Sequence, residues 1–234
     1  MKILTYLTFI LMVTTAWCQD INQLDSEGRR HGIWKKNHDN TKILRYEGEF
    51  RHGKEIGTFK YYQNIGNKPV LTATKTFNPD TGLAQVQFFT STGKVISEGT
   101  MNGKLYVGEW KYYHKNASQL MTQEFYNNQG QLDGTRTVFY VNGKTAEIQT
   151  YKNGVLNGIS KLMSKDGVVI NEYTYADGKL NGPAKIYNQN GELTETGNFR
   201  NGLRHGTWKQ YQNGQVIDET DHTVRSKNPY LKKP

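Results

Sequence analysis

The chain has 234 residues, with 30 Lys and Arg against 21 Asp and Glu, for a formal net charge of +9. Only 35% of it is hydrophobic, the mean hydropathy is −0.77, and Gly (24) far outnumbers Pro (5). This composition excludes a thick two-layer core, a membrane bundle, a collagen and a disulfide scaffold; the 12% aromatic content argues against disorder and for a thin, Gly-punctuated β architecture.

Residues 1–18 read as a secretory signal. Lys2 is followed by an apolar run from Ile3 to Val13 and then by Thr14-Thr15-Ala16-Trp17-Cys18. The run is too short to span a bilayer, and no later stretch approaches the length of a span, so no transmembrane segment is expected in the mature chain. Cys18 is the sole cysteine. Lipid anchoring at Cys18 would need a small residue before it, and Trp17 is bulky, so cleavage after Ala16 or after Cys18 is the expected outcome. The address is therefore export: periplasmic, outer-surface or secreted. Without a pair of cysteines, disulfides cannot hold the fold.

Residues 19–24 form a lead-in. Residues 25–222 are built on a repeat of Gly-x-x-x-Gly: Gly28–Gly32, Gly53–Gly57, Gly130–Gly134, Gly154–Gly158, Gly178–Gly182 and Gly202–Gly206. A seventh copy has Lys104 in the first slot and Gly108 in the second, and a degenerate eighth has Gly82 and Val86. Gly134, Gly158, Gly182 and Gly206 follow one another at intervals of 24. In each unit an aromatic ends a strand, Asn-Gly or a relative turns the chain, the second Gly opens a strand of about five residues, and a further turn sends it back. Turn signals every 8–12 residues with no helical stripe predict an all-β fold: an elongated antiparallel sheet of about eight stacked β-hairpin repeats, some sixteen strands in a ribbon about 75 Å long. Residues 223–234 carry Arg225, Lys227, Lys232 and Lys233 and are expected to be a disordered basic tail.

Tyr46-Glu47-Gly48-Glu49-Phe50-Arg51-His52-Gly53-Lys54-Glu55-Ile56-Gly57 resembles a MORN repeat, Tyr-x-Gly-x-aromatic-x-x-Gly-x-x-x-Gly, and Gly197-Asn198-Phe199 through Gly206 resembles it again. With Trp208, Tyr211 and Asn213-Gly214 after it, the unit is similar to the MORN repeat variant of the bacterial YwqK family. That resemblance covers roughly residues 25–220. It implies a stacked-hairpin architecture and suggests an antitoxin or immunity role against a cognate toxin. The third copy departs from the pattern: Val86 stands in the second Gly slot, and the segment from Gln63 to Thr81 is longer and irregular.

Side chains alternate faces along a strand. Six positions after the first Gly slot stand Trp34, Phe59, Phe88, Trp110 and Trp208, which mark the packing face. The next position is Lys in six of eight copies: Lys35, Lys60, Lys111, Lys161, Lys185 and Lys209. Two further on stand Tyr62, Tyr113, Tyr187 and Tyr211. These residues are the candidate partner-binding set, open to two readings. One is a basic, aromatic-lined strip for an anionic partner. The other is a solvated ladder whose lysine stems cover the Tyr rings. A protein partner ranks first, anionic lipid or acidic glycan next, and nucleic acid last because export removes the chain from it.

His31, His52 and His205 sit at turns and read as polar turn residues; no metal site and no cofactor is expected. Glu47, Glu98 and Glu195 recur before a returning aromatic as a structural rhythm. No nucleophile elbow, P-loop, His-Glu-x-x-His or catalytic cysteine is present in the sequence. The function that follows is a non-enzymatic exported repeat module that binds through an extended β face.

Overall fold

In the computed structural model, which describes residues 20–115 and 118–223, the chain forms seventeen antiparallel strands in one open sheet, with no helix among those residues. The signal reading of residues 1–18 and the tail from 224 onward lie outside the described residues. No described helix is long and apolar enough to cross a membrane.

The strands are β1 (Gln23–Leu24), β2 (Arg30–Asn37), β3 (Leu44–Arg51), β4 (Lys54–Ile65), β5 (Lys68–Phe77), β6 (Ala84–Phe89), β7 (Val95–Asn102), β8 (Leu105–Tyr113) and β9 (Leu120–Tyr126). They continue as β10 (Gly134–Phe139), β11 (Thr145–Lys152), β12 (Val155–Met163), β13 (Val169–Ala176), β14 (Lys179–Tyr187), β15 (Leu193–Arg200), β16 (Leu203–Gln212) and β17 (Gln215–Asp221). Each pairs with its neighbours in the chain, from β1 on β2 to β16 on β17. Tight turns enforce this meander. Asn201 and Gly202, for example, adopt φ of 51° and 81°, the left-handed pair of a type I′ hairpin whose twist matches that of the strands. The strand beyond the sixteen expected is β1, which the lead-in lays along β2.

Two expectations about the third copy are corrected. The stretch from Gln63 to Thr81 is a regular hairpin for most of its length: β4 runs to Ile65, Gly66 and Asn67 turn with φ of 58° and 59°, and β5 returns to Phe77. In the returning strand Thr72, Thr74 and Thr76 alternate with period two, and no irregularity is needed. The loop is confined to Asn78–Leu83, closed by Gly82 N–H donating to the Asn78 carbonyl at 2.9 Å. That loop moves the phase by two residues. Ala84, not Val86, takes the second Gly slot, facing Met101 on the next strand as Gly182 faces Phe199. Val86, not Phe88, takes the place of the Trp, opposite Gly99.

The core lies on one face. Phe50, Phe59, Ala73, Ala84, Val86, Met101, Trp110, Ala184 and Trp208 are buried there. With one sheet, coverage comes from neighbours on the same face. Tyr106 stacks on Trp110 with centroids 3.7 Å apart, and the Arg204 guanidinium lies 3.9 Å above Trp208. Each buried Trp also rests over a glycine of the preceding strand. A Cβ built on Gly99 or Gly197 would clash with the indole ring of Trp110 or Trp208, within 2.6 Å of its atoms. The indole N–H then donates to the carbonyl of the next residue, Trp110 to Thr100 at 2.9 Å and Trp208 to Asn198 at 3.0 Å, so a large amphipathic ring is buried with its polar atom satisfied.

Candidate binding face

The opposite face carries the lysines, and the pairing registers place them in one continuous cross-strand row. Lys35 faces Glu47, and Glu47 faces Lys60. The row continues through Thr74, Gln87, Glu98 and Lys111, then Gln123, Thr137, Ile148 and Lys161. It ends through Glu172, Lys185, Thr196, Lys209 and Glu219. The residue after each Trp-type seat points away from the packing face, which is why one row collects them all.

Every lysine of the row has a glutamate opposite it on at least one neighbouring strand, with neutral residues between these clusters. Lys35 and Lys60 lie 3.3 and 4.0 Å from Glu47, Lys161 lies 2.9 Å from Glu172, and Lys209 lies 3.0 Å from Glu219. Lys111 pairs with Glu109 on its own strand at 3.3 Å and faces Glu98 across the ladder. Lys185 faces Glu172 and Thr196. The paired lysine side chains stay 37% to 51% exposed. Pairs this accessible add little stability and remain available to a partner. The bare basic strip among the sequence readings is thereby replaced by an acid–base ladder. The acids that complete it, Glu172 and Glu219 beside Glu47 and Glu98, were missed because nothing in one strand tells which residue will stand opposite. Grouping Glu195 with them is also corrected. The Gly197 that seats Trp208 follows Thr196, so Thr196 takes the acid's place and Glu195 falls on the packing face. There it grips Arg204 at 2.6 and 2.9 Å and holds it over Trp208.

The tyrosines join the same face. A bulge follows the residue after each lysine, as between Tyr61 and Tyr62, and brings the next side chain back toward the row. The Tyr62 hydroxyl donates to Glu47 at 2.8 Å, Tyr113 donates to Glu98, and Tyr211 lies 3.2 Å from the Thr196 hydroxyl. Tyr187 occupies the matching place opposite Leu193. Burial, and then the bond to the carboxylate, pushes both Tyr62 and Tyr113 up to about 12. The Tyr62 bond, followed by Lys35 and Lys60, outweighs partial burial and holds Glu47 below its usual range; Gln87 and Tyr113 do the same for Glu98. The three kinds of side chain form one hydrogen-bonded surface. Thr74, Gln85, Gln87, Glu98, Thr100 and Lys111 line a shallow polar groove of about 350 Å³ within it.

At the centre of the packing face Arg136 replaces the Trp. It lies 3.1 Å from both Glu124 and Glu147, which satisfy its charge where a ring is missing. Among the turn histidines, His31 and His52 come together at the N-terminal end, with ring centroids 5.0 Å apart. His205 belongs to the penultimate strand, far along the ladder.

The MORN repeat variant profile matches residues 132–153 and 180–201. Two of the repeats are MORN repeat variants. The matched segments take in β10 with β11 and β14 with β15, two of the stacked hairpins, and neighbouring copies share their register and face assignment. MORN repeats are protein- and membrane-binding modules, and the repeat itself is non-catalytic. No curated protein matches the chain.

Proposed function

We propose that the protein is an exported, non-enzymatic binding module that docks a protein partner along the Lys–Glu–Tyr face. The carrying observation is the unbroken cross-strand row from Lys35 to Glu219, in which each of the six lysines has a glutamate opposite it on at least one side. At a distance greater than the Debye length, about 8 Å, the glutamates offset most of the lysine charge and weaken the pull toward a uniformly anionic membrane or glycan. At contact it presents a spaced pattern of charges and phenols that another protein can match. Export rests on residues 1–18, and a cognate toxin met outside the cytoplasm is one partner of this kind.

The test uses Lys111→Ser, Lys161→Ser, Lys185→Ser and Lys209→Ser combined in one chain. The parent should retain a protein from envelope extract and ignore vesicles of zwitterionic and anionic lipid, while the fourfold variant folds but loses the protein. Equal retention by parent and variant would move recognition off this face. Salt-sensitive capture of anionic vesicles by the parent would favour the membrane reading instead.

A further inference from the structure

We propose that Asp25, His31 and His52 form a binding site for a divalent transition metal of the Zn2+ class, which clips the N-terminal lead-in onto the first hairpin turn. The three side chains come from separate segments: Asp25 from the loop between β1 and β2, His31 from β2, and His52 from the turn between β3 and β4. One ligand atom of each lies within 4.8 Å of the other two. Two imidazoles and a carboxylate are the donor set that borderline divalent ions take, with positions left for water.

Three features point the same way. First, His31 Nδ1 is shielded from solvent and has no hydrogen-bond partner, the one such side-chain atom among the described residues. An imidazole nitrogen in that state has a coordination direction that no other protein atom uses. Second, the backbone builds the cluster independently of any metal. Asp25 Oδ1 accepts from the Glu27 and Arg29 amides at 3.0 and 2.9 Å, which leaves Oδ2 aimed at His52 Nδ1, 2.9 Å away. His52 holds φ of 49° in the turn, and Gly53 N–H donates to the Arg30 carbonyl at 2.8 Å, fixing that turn beside His31.

Third, a cation already sits against these atoms. Arg29 places Nε 2.9 Å from Asp25 Oδ2 and Nη2 3.2 Å from His52 Nδ1. Arg29 also reaches Glu27 at 2.8 Å, and its side chain is 41% exposed. It can swing onto Glu27 as an ion enters. Tetrahedral Zn2+ spaces its ligand atoms about 3.4 Å apart, so side-chain rotation of the two imidazoles is enough to close the site.

The experiment uses the full chain without a histidine tag, stripped of metal and titrated with Zn2+ against a chromophoric chelator, with a thermal melt at each end point. The expected result is one Zn2+ per chain and a raised melting temperature. His31→Gln, Asp25→Asn and His52→Asn should each weaken binding at least about tenfold; Asn tolerates the left-handed backbone at residue 52. Arg29→Gln should tighten binding, because it removes the competing cation, and His205→Gln should leave it unchanged. Mg2+ and Ca2+, which take oxygen ligands, should not compete. The proposal is overturned if the parent binds no Zn2+. It is equally overturned if a folded His52→Asn chain, with a metal-free melt like the parent's, binds as tightly as the parent.

Discussion

Gly99 lies opposite Trp110 on the neighbouring strand, and the indole ring occupies the space where a Cβ on Gly99 would be. The glycine is thus the floor of a binding seat for the Trp, which is fully buried. Gly99→Ala should force the ring or the strand outward and cost about 1–3 kcal/mol. Trp110→Ala should cost about 3–5 kcal/mol by leaving a cavity. In the double variant the clash is gone, so the two penalties should sum to less than their separate values. Chemical denaturation of the four chains measures the coupling; simple additivity would mean that the ring does not depend on the glycine.

The three tryptophans of the repeats hold equivalent sequence positions but should not be worth the same. Trp208 is 2% exposed beneath Arg204, whereas Trp34 is half-buried at the end of the sheet, where β1 adds only two residues. Trp34→Ala should cost about 1–2 kcal/mol against about 3–5 for Trp208→Ala. Denaturation midpoints of the two variants decide this, and equal losses would contradict it.

Glu47 stands between Lys35 and Lys60. Glu47→Lys would place three like charges on adjacent strands and should destabilise by about 0.5–1 kcal/mol at low salt. Raising the ionic strength should recover most of that, because the positions are exposed enough to be screened. Lys161→Ser, by contrast, should shift stability by no more than about 0.5 kcal/mol. Melts of both variants at two salt concentrations test the difference.

The Tyr–Glu bonds predict the pH profile. The folded phenols of Tyr62 and Tyr113, at about 12, lie above the unfolded value of about 10. Their contribution is therefore fully present below pH about 10 and is lost as pH rises toward about 12. Glu47 and Glu98 are depressed. Their contribution is present above the unfolded glutamate value of about 4.3 and is lost as pH falls through their lower folded values. Melting temperature should accordingly be flat between these limits. Tyr62→Phe with Tyr113→Phe should soften both shoulders, and a parent profile already falling at neutral pH would contradict the assignment.

Much of the architecture was legible in the chain because its causes are local. The Asn-Gly and Asp-Gly turns demand left-handed backbone, the interval of 24 between Gly134, Gly158, Gly182 and Gly206 sets a hairpin unit, and the period-two alternation separates Trp from Lys within each strand. Those features by themselves determined an all-β stack with a packing face and a lysine face. Pairing across strands settled the rest. The loop from Asn78 to Leu83 shifted the third copy so that Val86 reached the Trp place. Glu172 and Glu219 turned the lysine row into a ladder, Thr196 sent Glu195 to the other face, and the turn at His52 came to rest beside His31 and Asp25. The physical reason is that the face of a residue depends on its own strand, whereas its opposite number depends on register. Register is set by bulges, loop lengths and ring seats contributed by residues one or more strands away.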